Sequence, residues 1–281
     1  MHSNNILLFC IKIRLLKYFI NGGEEMLYYN FKEIQERKNK VNKHLDYISI
    51  ECADEIQKCI DDSIIYKNDF KVDTKIPYKG IDILITQETS TDCIFKTALP
   101  LKTKKICVLN FASYRHPGGM FTKGSTAQEE ELCISSILYP ILKHFTNSYY
   151  KINEHELHSG LYKNTAIYTP NVLFMYDKNK TANVDVLTCA APNRRYALDR
   201  GVQDDVINSV MKDRIKFIFD IAEDNNVDTF ILGAWGCGVF RNDPEIVAKL
   251  FKDEIYKRSI PNIIFPIPDS TTFETFMEVL I

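Results

Sequence analysis

Three consecutive carboxylates follow a glycine-rich loop in the stretch PGGMFTKGSTAQEEE, residues 117–131. Glycine lets a backbone adopt positive φ and approach a ligand closely. A carboxyl group beside such a loop can exchange a proton with the bound molecule. The stretch therefore predicts a site in which a loop positions a ligand against an acid. A structural alternative is a capping box, because Thr126 and Glu129 have its spacing and acids are favoured near a helix N-terminus.

Helical periodicity separates the three acids from one another. Glu130 shares a helical face with Ile134, Ile137 and Ile141, so its carboxylate is expected at the buried edge of the helix. Desolvation there favours the protonated form, which a general acid requires. Glu131 is expected to point elsewhere.

A second glycine loop, GAWGCGVFRNDP at 233–244, follows the apolar run DTFIL. Asp243 and Pro244 suit the N-cap and the first position of a following helix. A strand, a glycine turn and a helix N-terminus together can hold a phosphate through backbone N–H groups. Taken alone, this pattern also occurs without phosphate binding. A third turn, CAAPNRR, offers Asn193 and Arg194 to a ligand, and a simple strand-ending turn explains it equally well.

Strand-like and helix-like segments alternate from about residue 80 and indicate an α/β domain. Six short apolar runs predict strands: IDILITQ, KKICVLNF, AIYTPNVLF, DVLTCAA, DTFILGAW and NIIFPIP. Longer amphipathic runs predict helices: EELCISSILYPILKHF, DDVINSVMKDRIKFIFDIAEDN and DPEIVAKLFKDEI. Residues 31–70 are predicted to be helical. Ligands in such sheets lie beyond the carboxyl ends of the strands, where both glycine loops fall.

The composition is that of an ordinary globular protein. The chain has 281 residues, 45% of them hydrophobic and 26% charged, and a net charge of −2, which argues against a nucleic-acid-binding surface over the whole molecule. A local cationic pocket stays open. The eight cysteines form no CxxC pair and predict buried, reduced thiols in a cytoplasmic protein. The close pair His155 and His158 has no cysteine nearby, so zinc is not expected.

The first 25 residues differ in character from the rest. ILLFCIKIRLLKYFI is too short and too charged to span a membrane, and no cleavage site follows it. The next residues, GGEEM, correspond to what a translated purine-rich ribosome-binding site would encode. We expect residues 1–25 to be a non-native or disordered extension before a start at Met26. The alternative is an amphipathic helix that lies on a surface.

Together the two glycine loops resemble the bacterial-type poly(ADP-ribose) glycohydrolase family, which is built on a macrodomain. The resemblance runs from about residue 30 to the C-terminus and rests on VLNFASYRHPGGMFTKGSTAQEE and GAWGCGVF. It implies a macrodomain-like three-layer α/β fold, with a mixed, largely parallel sheet flanked by helices. Residues 26–281 would form a single unit whose N-terminal part, 26–75, is helical.

The resemblance also implies a reaction: hydrolysis of ADP-ribose glycosidic linkages, poly(ADP-ribose) to ADP-ribose, with no metal and no cofactor. It assigns Glu130 as the catalytic acid, with Glu129 holding ribose hydroxyls and Gln128 orienting the second acid. The remaining substrate-binding positions are Asn110 at the distal ribose, Gly118 and Gly119 at that ribose and the diphosphate, the backbone of Gly236, Cys237, Gly238 and Val239 at the diphosphate, and Phe240 against the distal ribose.

The expected partner is ADP-ribose or poly(ADP-ribose) on modified macromolecules, bound by a cytoplasmic monomer without sequence-specific nucleic-acid or membrane binding. Met120 replaces the third glycine of the family loop, so its side chain either crowds the ligand or turns outward. A non-catalytic ADP-ribose reader and a mono-ADP-ribosyl hydrolase are the alternatives. Nothing supports a thiol hydrolase based on Cys133 or Cys237.

Overall fold

The computed structural model describes residues 23–68, 70, 72, 75–100, 104–155, 157–177 and 180–281. The extension expected at residues 1–25 therefore lies almost entirely outside the described residues. Within these ranges, no helix combines the length and the apolar character that a membrane span requires.

Helices and strands alternate through most of the chain. The helices are α1 (Gly23–Glu51), α2 (Ala53–Asp62), α3 (Ser90–Ala98), α4 (Gln128–Ile134), α5 (Leu138–His144), α6 (Lys151–Glu154), α7 (Arg194–Leu198), α8 (Asp204–Asp224), α9 (Pro244–Ile255) and α10 (Ser270–Leu280). The strands are β1 (Ile64–Tyr66), β2 (Asp82–Thr86), β3 (Ile106–Phe111), β4 (Ala166–Asp177), β5 (Lys180–Cys189), β6 (Thr229–Ile231) and β7 (Asn262–Pro266).

The seven strands form one mixed sheet in the order β1-β4-β5-β3-β6-β7-β2. Strands β5, β3, β6, β7 and β2 are mutually parallel, whereas β4 runs antiparallel to both β5 and β1. The largely parallel α/β sheet predicted from the alternating segments is confirmed. The carboxyl ends of β3, β6 and β7 meet at one edge, which brings their following loops together.

Helices cover both faces of the sheet, as the alternation of β3 side chains requires. Cys107 and Leu109 face the core formed with α8, α9 and α10, whereas Ile106 and Val108 face the core formed with α1 to α5. All four side chains are buried. A central strand buried on both faces reads as a continuous apolar run.

Two predicted helical stretches are interrupted in the structure. Residues 64–66, expected within a helix, form the edge strand β1 against β4. The run EELCISSILYPILKHF is also not one helix, because α4 ends at Ile134 and α5 begins at Leu138. Between them Ser135 O accepts a hydrogen bond from Met175 N at 2.8 Å, and Ile137 N donates to Leu173 O at 3.1 Å. Pairing with β4 thus breaks the helix. Glu130 and Ile137 therefore do not lie on one helical face, and that prediction is wrong.

Candidate active site

A cavity of about 690 Å³ lies beyond the carboxyl ends of β3, β6 and β7. One wall is the 234–240 loop after β6, a second wall is the 266–272 segment after β7, and Phe111 at the end of β3 also lines the cavity. The cavity is lined by six of the predicted site residues: Gln128, Gly236, Cys237, Gly238, Val239 and Phe240. The other five predicted residues form a group beside it: Asn110, Gly118, Gly119, Glu129 and Glu130.

The two carboxylates of that second group are buried, with Glu129 3% and Glu130 6% exposed. Ser113 N donates to Glu129 Oε2 at 2.8 Å, and Asn110 Nδ2 donates to Glu129 Oε1 at 3.3 Å. Glu130 Oε1 accepts a hydrogen bond from Met120 N at 2.8 Å. Both oxygens of Glu129 are therefore bound by protein donors, whereas only one oxygen of Glu130 has a donor among the described residues.

Burial has a large electrostatic consequence for Glu129. Desolvation, with a smaller contribution from the neighbouring Glu130 charge, raises the pKa of Glu129 to about 8 against the opposing donors Ser113 N and Asn110. A carboxyl pair with one raised pKa can retain a proton at neutral pH, as general acid catalysis requires.

The first glycine loop packs directly on these acids. Gly118 and Gly119 have φ of +65° and +59°. A Cβ on Gly119 would lie 2.6 Å from Glu130 Oε1 and 3.0 Å from Glu129 Oε2, so both carboxylates converge on this glycine. A Cβ on Gly118 would lie 2.7 Å from the Tyr139 ring. Side chains at either position would displace the acids or their support.

Met120 turns its side chain outward. It is 51% exposed and does not line the cavity, while its backbone N–H holds Glu130. Of the two alternatives raised by the missing third glycine, the structure shows the second.

The structural alternative, a capping box formed by Thr126 and Glu129, is not what the structure shows. The N-cap of α4 is Ala127, without a side-chain cap, and Glu129 turns inward to Asn110 and Ser113 instead. Gln128 also contacts strand β3: its Oε1 accepts from Phe111 N at 2.9 Å, and its Nε2 donates to Leu109 O at 2.8 Å. These bonds fix the start of α4, and with it the adjacent acids, to the end of the strand.

The second glycine loop is held by a residue that the sequence did not single out. The buried Asn242 donates from Nδ2 to Pro192 O at 2.9 Å and to Gly236 O at 3.1 Å. Gly236 has a φ of +76°, and a Cβ there would lie 2.7 Å from Ala191 Cβ. A Cβ on Gly238 would meet nothing within 4 Å, so this position leaves open space in the cavity. Asp243 caps α9 as predicted, accepting from Glu245 N at 2.9 Å.

The remaining candidates have structural contacts. Asn193 accepts from Tyr196 N at 3.0 Å and so caps α7, and Arg194 pairs with Asp204 at 2.6 Å. Burial raises the pKa of Cys237 to about 12, which keeps the thiol protonated and disfavours a nucleophilic role.

Sequence reasoning missed the second wall of the cavity and misplaced Glu131. That wall follows β7 and includes Pro268, Asp269 and Thr272, and Thr89 and Ser90 adjoin it. The signal was available, since the strand run NIIFPIP ends at the same edge of the sheet as both glycine loops. Glu131 was expected to point elsewhere, but its half-buried side chain also lines the cavity.

Comparisons with known proteins agree on one family. The family described as microbial-type PARG, catalytic domain, matches residues 31–177. The fold is similar to the crystal structure of poly(ADP-ribose) glycohydrolase (PARG) from Thermomonospora curvata, with a TM-score of 0.75 and 25% identity over 87% of this chain and 99% of that one. It is also similar to PARG from Deinococcus radiodurans in complex with ADP-ribose, with a TM-score of 0.72 and 28% identity over 80% of this chain and 96% of that one. No curated protein matches the sequence. Because the family match spans more than half of its residues, this chain belongs to the microbial-type poly(ADP-ribose) glycohydrolase family.

Proposed function

We propose that this protein hydrolyses poly(ADP-ribose) to ADP-ribose, with Glu130 as the general acid. The observation that carries the assignment to Glu130 is the difference between the two buried carboxylates. Protein donors bind both oxygens of Glu129, whereas Glu130 keeps one oxygen without a donor among the described residues. That oxygen is free to meet the leaving group of a bound sugar.

The contacts around the acids support a binding mode for the distal ribose. Asn110 Oδ1 is buried and has no hydrogen-bond partner among the described residues. A buried acceptor without a donor is costly, and a ribose hydroxyl would satisfy it. Glu129 would hold the neighbouring hydroxyls, and Gly118 and Gly119 would let the sugar approach the acids.

The rest of the ligand would fill the cavity. The backbone of residues 236–239 would bind the diphosphate, with the open space at Gly238 admitting it. Phe240 would pack against the distal ribose. An anion held by backbone N–H groups needs no lysine in the loop.

The reaction then follows the chemistry of glycoside hydrolysis. Glu130 donates a proton to the leaving oxygen as the bond from that oxygen to the anomeric carbon breaks, and an oxocarbenium-like ribose forms. Water attacks the anomeric carbon and returns its proton to the Glu130 carboxylate. Burial excludes competing solvent, which strengthens each electrostatic interaction in the site.

The finer assignments are part of the same proposal. We expect a cytoplasmic monomer that acts on ADP-ribosylated macromolecules without sequence-specific nucleic-acid binding. The seven cysteines in the described residues are all free, which fits a reducing compartment. Residues 26–281 are proposed to act as one unit, because β1 joins the main sheet and α1 contacts the first glycine loop.

The test compares ADP-ribose release from poly- and mono-ADP-ribosylated substrates by the parent and by Glu130→Gln. Loss of a general acid typically lowers the rate by about 10²–10⁴-fold, while ADP-ribose should still bind. Glu131→Gln is the comparison at the adjacent acid: Glu131 lines the cavity but has no hydrogen bond to the first glycine loop, so its loss can change ADP-ribose binding without removing the proton donor. Equal rates for Glu130→Gln and the parent would refute the mechanism. Binding without release by the parent would identify a reader, and release only from mono-ADP-ribosylated substrate would identify a mono-ADP-ribosyl hydrolase.

A further inference from the structure

Three exposed arginines lie next to aromatic residues near the carboxylate end of the cavity, either in sequence or through a backbone hydrogen bond. Arg195 N donates to Phe240 O at 3.1 Å, and Arg241 directly follows Phe240. Tyr162 stands edge-on to Phe240, with ring centroids 6.5 Å apart, and stacks on Tyr114 at 3.9 Å. Arg115 follows Tyr114 and is close enough to act electrostatically on Tyr162. We call Arg115, Arg195 and Arg241 the arginine rim.

The charge of the rim is not neutralised locally. Within the described part of the chain, no carboxylate lies at salt-bridge distance from any of its three members. The nearest acids along the chain to Arg195 and Arg241 are Asp199 and Asp243; Asp199 lies beyond salt-bridge distance of Arg195, and Asp243 caps α9. Three guanidinium groups without a salt bridge to any described residue favour anions locally, although the chain has a net charge of −2.

The position of the rim points to the part of the substrate that leaves. Arg115 lies two residues beyond Ser113, whose N–H binds Glu129, so the rim lies at the catalytic end of the cavity. Pro268, Asp269 and Thr272 follow β7, which lies two strands away from β3 in the sheet. When the ADP-ribose to be released fills the cavity with its scissile bond at Glu130, the leaving portion must extend outward past the catalytic end.

We propose that the arginine rim binds the diphosphate of the next ADP-ribose unit, on the leaving side of the scissile bond. This inference rests on the proposed function. In poly(ADP-ribose) the leaving group carries two phosphates one unit away, and guanidinium groups bind phosphate oxygens in a bidentate manner. A single ADP-ribose on a neutral acceptor would gain nothing from three arginines outside the cavity.

The test uses Glu130→Gln as a background, because it blocks turnover while the substrate is titrated. Arg115, Arg195 and Arg241 are changed together to Gln, and the Kd for oligo(ADP-ribose) of defined length and for ADP-ribose is measured at several salt concentrations. We expect the oligomer to bind about 10-fold or more weakly, with a shallower salt dependence, because fewer phosphates are neutralised. The affinity for ADP-ribose should stay the same.

A matched control removes the same charge elsewhere: Lys40, Lys43 and Lys58, exposed on α1 and α2, are changed to Gln. Equal weakening by the control would mean a general field rather than a site and would overturn the proposal. The proposal would also be overturned if the triple rim variant lost as much affinity for single-stranded DNA of matched charge as for the oligomer, or if it lost affinity for ADP-ribose. Failure of the Glu130→Gln protein with an intact rim to bind ADP-ribose would refute the proposed function instead, and the oligomer titration would still report on the rim.

Discussion

At the scale of single residues, the buried acid Glu129 should link stability to pH. Its pKa is raised from 4.5 to about 8 by desolvation, so the folded state binds a proton that the unfolded state has released between these values. The free energy of unfolding should therefore fall as pH rises from about 4.5 to 8, by a few kcal/mol at most, since one pKa unit corresponds to about 1.4 kcal/mol.

Glu129→Gln should remove this slope. Its amide oxygen can still accept from Ser113 N, so the variant keeps the main contact without a titrating group. Urea unfolding of the parent and the variant at pH 5, 7 and 9 measures the difference, and other titrations common to both proteins cancel. Parallel stability curves for the two proteins would show that burial does not shift this carboxyl.

Gly119 provides a second residue-scale prediction. Gly119→Ala should lower the rate of ADP-ribose release by about 10²-fold, because a misplaced catalytic group is that costly and the new Cβ would meet Glu130 Oε1 at 2.6 Å. Gly80→Ala is the matched control, since Gly80 also has a positive φ of +88° but nothing within 4 Å of its Cβ position. Both variants carry backbone strain, so only a loss of rate beyond that of Gly80→Ala reports on the position of Glu130. Equal rates of ADP-ribose release by the two variants would contradict the prediction.

At the scale of elements, the sequence predicted what depends on local pattern and missed what depends on pairing in space. All six predicted strands are present because each is an apolar run bounded by turns. Strand β1 was missed because its three residues are held only by register with β4. The break between α4 and α5 was missed for the same reason, since the bonds of Ser135 and Ile137 go to β4.

The same distinction applies to the site. Glu130, Gly118 and Gly119 could be identified from their motif. The inward turn of Glu129 could not, because its donors Asn110 and Ser113 lie 19 and 16 residues away along the chain.

Asn242 links the second glycine loop at Gly236 to Pro192, which follows strand β5. Asn242→Ala would leave Pro192 O and Gly236 O without their side-chain donor, at a cost of about 1–3 kcal/mol in stability. The freed loop should bind ADP-ribose about 10-fold more weakly, which corresponds to about 1.4 kcal/mol. Asn262→Ala is the control: Asn262 Nδ2 donates to Asp228 O at 2.9 Å, but at the amino end of β7, away from the cavity. Asn262→Ala should lose similar stability but no affinity for ADP-ribose. Calorimetry with ADP-ribose distinguishes the two variants. Equal affinities for the two variants would refute the role of Asn242.

At the scale of the whole molecule, helix α1 connects the N-terminal part to the catalytic loop. Arg37 Nε donates to Gly124 O at 2.9 Å, in the loop that carries Gly118 and Gly119. His44 Nε2 lies 2.9 Å from Ser136 O, at the break after α4. Val41 and Ile48 are 5% and 1% exposed and belong to the core on that face of the sheet. The helix thus holds the catalytic segment at both of its ends.

Removal of this helix should therefore cost both stability and activity. A chain of residues 53–281 loses the buried Cys52 and two larger buried side chains, Val41 and Ile48. Each of these two is worth about 1.5–3 kcal/mol, a large share of a typical total of about 5–15 kcal/mol. It should melt at a clearly lower temperature and release little ADP-ribose. A chain of residues 26–281 should keep the melting temperature and the rate of the full chain within about two-fold, because it retains Arg37, Val41, His44 and Ile48, through which α1 contacts the rest of the protein. Arg37→Met separates the two effects, since it removes one bond to the loop and leaves the core intact. Arg37→Met should lower kcat several-fold with little change in melting temperature. Full activity of the 53–281 chain would contradict the prediction and show that α1 is a separate unit.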